Sequence, residues 1–79
     1  MTSTEIESRL IEVLLDITTT KGLGTPLLAG DTVLEQIGLE SLDFAQAVIR
    51  MEEITGRDPF ASGADYQLRT VKDLADLYD

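Results

Sequence analysis

Apolar residues along the chain recur at helical spacing in three stretches, separated by two irregular ones. In the first, Ile6, Leu10, Val13, Leu14 and Ile17 follow one another at intervals of four, three, one and three, which is one face of an α-helix. Ile11 and Leu15 widen that stripe, as in a helix packed against more than one neighbour. Thr4-x-x-Glu7 fits a capping box, which predicts a helix beginning near Thr4. Thr18, Thr19 and Thr20 are weak helix formers, and Gly22 suits the position after the last turn.

The second stretch predicts a helix from Ser41 to Thr55, stopped by Gly56. Ala45, Val48 and Glu52 lie on one line of it and Leu42, Ile49 and Glu53 on the next, so Leu42 and Ile49 are expected to be partly exposed beside Ser41. Beyond Gly56, Pro59 disfavours α geometry at Asp58. Phe60 is expected to anchor in the core, and residues 61–66 allow one or two helical turns interrupted by Gly63. The last helix should start at Thr70, with its hydroxyl as cap and Asp73 adding a favourable charge. Val71, Leu74, Ala75 and Tyr78 mark its inner face, with Leu77 at the edge.

Residues 22–40 make a long connection. Leu27, Leu28, Val33, Leu34, Ile37 and Leu39 are available to pin it, as a loop of this length requires. Asp31-Thr32-Val33-Leu34-Glu35 can start a single helical turn, capped by Asp31 or Thr32. The pattern therefore predicts an all-α fold: a single domain over residues 1–79, built as a small bundle of three main helices plus one short helix, with a long loop between the first two.

Composition narrows the function. The chain of 79 residues has no cysteine and no histidine, so disulfides, thiolate sites and most zinc or haem sites are excluded. Ser–His, Cys–His and metal–hydroxide designs need residues the chain lacks, which argues against a self-sufficient enzyme. Asp31 and Glu35 are too sparse for a calcium loop and read as a solvated face. With 15 acidic and 6 basic residues the net charge is −9. Such a chain disfavours nucleic acid and anionic membranes and complements basic protein surfaces. Hydrophobic residues make up 43% of it, enough with clear periodicity for a folded domain rather than a disordered one. Without a bilayer-spanning run or a signal-peptide pattern, the expectation is a soluble, cytoplasmic monomer.

The candidate chemistry lies in Gly38-Leu39-Glu40-Ser41-Leu42-Asp43-Phe44, a turn running into the second helix. Ser41 is expected as N-cap, and free N–H groups of the first turn suit a phosphate ester on its hydroxyl. These residues resemble the Gly-Leu-Asp-Ser-Leu-Asp signature of the acyl carrier protein family, with Glu40 where aspartate is most frequent. The resemblance runs from Asp31-Thr32-x-Leu34 to Thr70-Val71-x-Asp73-Leu74. It implies that Ser41 receives a 4′-phosphopantetheine arm from coenzyme A through a phosphopantetheinyl transferase, and that the arm carries acyl groups as thioesters. It further implies that Glu40, Leu42, Asp43, Ile49, Glu52 and Glu53 meet partner enzymes: an acyl- or aminoacyl-loading enzyme and downstream synthases or transferases. Gln46 and Arg50 depart from the more acidic helix of typical fatty-acid carriers. The pathway therefore stays open among fatty-acid, polyketide and other specialised biosynthesis. An aminoacyl or peptidyl carrier is the alternative within the family, and an unmodified acidic helical interaction module the alternative outside it.

Overall fold

A computed structural model describes residues 1–61, 63 and 66–79. It contains three α-helices: α1 (Ser3–Thr20), α2 (Ser41–Thr55) and α3 (Val71–Asp76), with a short 3-10 helix (Leu34–Ile37) inside the long first connection. No strand occurs among the described residues, and the fold is all-α. The short helix expected between 61 and 66 falls in part on positions outside the described residues. The short helix that is described sits earlier, ahead of α2.

α1 begins at Ser3, close to the predicted start, but its cap lies two residues earlier than expected. Thr2, not Thr4, is the N-cap: its Oγ1 accepts the Glu5 N–H at 3.2 Å, and Glu5 reaches back toward Thr2. Thr2-x-x-Glu5 and Thr4-x-x-Glu7 are the same pattern, and packing decides between them. The Glu7 carboxylate occupies the place a Cβ would take at Gly30, so it is held against the first connection and not turned back on Thr4. Ile6, Leu10, Val13, Leu14 and Ile17 are all buried, as their spacing predicts, and α1 packs against both α2 and α3. From α3, Val71, Leu74 and Ala75 complete this core, with Tyr78 just beyond its end. Thr70 caps α3 and Asp73 accepts the Thr70 N–H at 3.0 Å, as the sequence implies.

The first connection is fastened by backbone bonds to the approach of α3. Leu34 N–H donates to Arg69 C=O at 2.8 Å, Val71 N–H to Thr32 C=O at 3.0 Å and Lys72 N–H to Gly30 C=O at 2.8 Å. Leu34 and Ile37 reach the core, while Leu28 and Leu39 pack at its edge. Leu27 does not. It is fully exposed, because Leu28 turns inward and two consecutive side chains of a segment laid over the bundle cannot both do so. The 3-10 turn starts after Val33, with no side-chain cap. Thr32 does not cap it; its Oγ1 instead accepts the Ala29 N–H at 2.9 Å.

α2 has the predicted span, but its buried line is Asp43, Ala47 and Met51, flanked by Phe44, Val48 and Ile54, and not the line through Ala45. No interface comparable to those of α1 joins α2 to α3 among the described residues. The space between them becomes the groove described next.

Candidate functional site

Gly38 adopts φ +91°, a left-handed conformation that glycine enters without a Cβ clash, and this ends the 3-10 helix. The chain then extends through Glu40 (φ −94°, ψ 169°) and enters α2. The N-cap is thus Glu40, and Ser41 is the first helical residue. That corrects the expected cap by one position. The capping contact comes from inside the helix, where Asp43 Oδ2 accepts the Glu40 N–H at 2.9 Å.

Ser41 is exposed. The first backbone bond of the helix is Phe44 N–H to Glu40 C=O at 3.1 Å, so the N–H groups of Ser41 and Leu42 have no backbone acceptor. Together with the helix dipole they favour an anion at the Ser41 oxygen. Beside Ser41 opens a groove of about 520 Å³, lined by Phe44, Ala45 and Val48 of α2, Leu74 of α3, Leu34 and Leu39 of the first connection, and Phe60 and Leu68 of the second. Glu35 and Ser41 are its only polar lining residues among those described. Phe60, expected in the core, is half-buried at the groove wall, with its ring edge-on to Tyr66 (5.4 Å, 89°).

The other residues singled out for partner contact separate into two groups. Leu42 (71% exposed) and Ile49 (55%) stand free on the outer face of α2, and Glu40 and Glu53 are exposed. Asp43 is turned inward at 8% exposure, and its Oδ2 accepts Lys21 Nζ at 2.5 Å as well as the Glu40 N–H. The lysine and then the backbone bond hold this carboxyl below its usual range, and Asp43 in turn raises Lys21. Glu52 is half-buried; desolvation first, and the neighbouring Asp58 next, push its carboxyl up. Lys21 was not foreseen as part of this region. It is 22 residues from Asp43 and has no local signature.

Ser41 thus combines an exposed hydroxyl, neighbouring N–H groups without backbone acceptors and an apolar groove alongside. Among the described residues, no group of three acidic, histidine or cysteine side chains is placed to hold a metal ion, and no helix is long and apolar enough to cross a membrane. Comparisons with protein families, with characterised proteins and with solved structures return no match.

Proposed function

We propose that this chain is an acyl carrier protein whose Ser41 bears a 4′-phosphopantetheine arm. The observation that carries the reading is the placement of Ser41: an exposed hydroxyl at the first helical position, with open backbone donors, at the mouth of an apolar groove. In the modification, the Ser41 oxygen forms a new P–O bond with coenzyme A. The pyrophosphate bond to the adenosine bisphosphate breaks, and the hydroxyl proton passes to a base of the transferase. The arm supplies the thiol on which an acyl group is carried, so the lack of cysteine in the chain is no obstacle. The chain's own residues present the serine, offer N–H groups to the phosphate and shield apolar cargo. Leu42, Ile49, Glu40 and Glu53 form the face offered to partner enzymes, where acidic charge speeds encounter with basic surfaces.

The same reading places the protein in the cytoplasm as a monomer and a substrate of enzymes, and expects a short helix in the connection between α2 and α3. The decisive experiment is incubation with coenzyme A and a broad-specificity phosphopantetheinyl transferase, followed by intact mass and peptide mapping. One arm should be gained, on Ser41, and Ser41→Ala should gain none. Failure of wild type to gain mass with several such enzymes overturns the reading, and an arm on Ser3, Ser8 or Ser62 overturns the site.

A further inference from the structure

We propose that Lys21 and Asp43 form a clamp that sets the direction in which Ser41 presents its hydroxyl, making them positioning residues for its modification and not contact residues for partner enzymes. The inference rests on the reading of Ser41 given above. One carboxylate oxygen, Asp43 Oδ2, holds both the Lys21 ammonium at 2.5 Å and the Glu40 N–H at 2.9 Å. Lys21 is the residue at which α1 ends, its own N–H bonding to Ile17 C=O at 3.0 Å, and Gly22 (φ +78°) turns the chain away immediately afterwards. The end of α1 is thereby joined, through one atom, to the residue that precedes Ser41.

The joint acts on orientation. Ser41 and Asp43 are two positions apart on a helix that turns about 100° per residue, so fixing Asp43 fixes the side from which Ser41 projects. Asp43 continues into the fully buried Ala47 and Met51, which hold the same rotational setting from within the core. A carboxylate so occupied has little left to offer a docking enzyme. Lys21 Nζ also lies 3.9 Å from the Glu40 carboxylate, a cation beside the acid that adjoins the site of an incoming phosphate. Transfer to a hydroxyl depends on its alignment, and a misplacement of about 1 Å can cost on the order of 100-fold in rate.

The test compares wild type with Lys21→Met, which keeps most of the aliphatic stem, and Lys21→Arg, which keeps the charge. Amide hydrogen exchange at Glu40 and Phe44 reads the first turn of α2, with the Met51 amide as a core reference. Steady-state modification by coenzyme A and a transferase gives kcat and KM for the chain. Lys21→Met should speed exchange at Glu40 and Phe44 by roughly ten-fold, the worth of a charge-assisted bond, and leave Met51 unchanged. Its kcat should fall by about five-fold or more, with KM altered by less than about two-fold, and Lys21→Arg should recover most of both losses. Unchanged exchange at the two amides overturns the clamp, and a raised KM with intact kcat makes Lys21 a contact residue instead. If wild type accepts no arm at all, the reading of Ser41 fails by itself, and the exchange data alone decide whether the clamp exists.

Discussion

Arg50 Nη1 lies 2.7 Å from Asp16 Oδ2, so the one cation in the middle of α2 is turned onto α1 and not toward the outer face of its own helix. The acidic character of that outer face is therefore less diluted than the sequence of α2 suggests. Both partners are substantially solvent-exposed. The pair should contribute no more than about 0.2–1 kcal/mol, measured as the coupling energy of a double-mutant cycle with Arg50→Ala and Asp16→Ala in urea titrations. Screening should shrink the coupling as salt is raised. A coupling above that range, insensitive to salt, would mean the pair is far better shielded than its exposure indicates.

Stability should peak at mildly acidic pH. The folded state raises the Glu52 carboxyl, chiefly by desolvation and then through Asp58. A carboxyl raised on folding contributes stability below its unfolded value, ordinarily near 4.5, and that contribution is lost as pH rises through the folded value. Asp43 and Asp73 behave oppositely. Lys21 holds the first down, and the backbone N–H groups of Thr70 and Arg69 the second. Their contribution is complete above the ordinary value of 3.8 and disappears as pH falls toward their lowered folded values. From neutrality, Tm should therefore rise as the solution is acidified, then drop below the ordinary aspartate range. Glu52→Gln should raise Tm at neutral pH and lose that advantage in acid. A Tm that only falls on acidification contradicts this.

How far such features could be read beforehand depends on how local they are. The inner faces of α1 and α3 are legible because their apolar spacing and caps lie within one segment; Thr70 and Asp73 do in the structure what their separation of three implies. The buried line of α2 was hidden by its own first member. Asp43 does not look like a core residue, and becomes one only because Lys21, at the end of α1, compensates it. The start of α1 was ambiguous by two residues because the Thr-x-x-Glu pattern occurs twice, and the choice was made by Gly30 leaving room for Glu7. The turn that leads into α2 at Ser41 was legible in the sequence, but the groove beside it was not, since its walls come from four separate segments.

Tyr78 is fully buried, and its hydroxyl has no hydrogen-bond partner among the described residues. Burial, with smaller contributions from Glu52 and Asp58, pushes its pKa up to about 12, so it stays neutral over the working range. An unpaired buried hydroxyl costs roughly 1–3 kcal/mol of desolvation, while the ring fills space in the core. Tyr78→Phe should keep the packing and raise the unfolding free energy by about 1 kcal/mol. A loss of stability would reveal a partner for the hydroxyl, such as a bound water.

Ser41→Ala and Thr70→Ala separate site from scaffold, because both remove a hydroxyl at the start of a helix and only one of those hydroxyls caps. Thr70 Oγ1 accepts the Asp73 N–H at 3.2 Å, and its loss should cost about 0.5–2 kcal/mol. Ser41 stands one residue inside α2, exposed, with the reach-back bond of that helix supplied by Asp43 to Glu40. Alanine is a better helix former than serine at such a position and opens no cavity. Ser41→Ala should therefore change stability by no more than about 0.5 kcal/mol in either direction. Urea unfolding of both variants beside wild type makes the comparison. A Ser41→Ala protein as destabilised as Thr70→Ala would show that the serine holds the helix start together, and its exposure would then have a structural explanation. A stable variant, by contrast, leaves the hydroxyl with no task in the fold and free for chemistry.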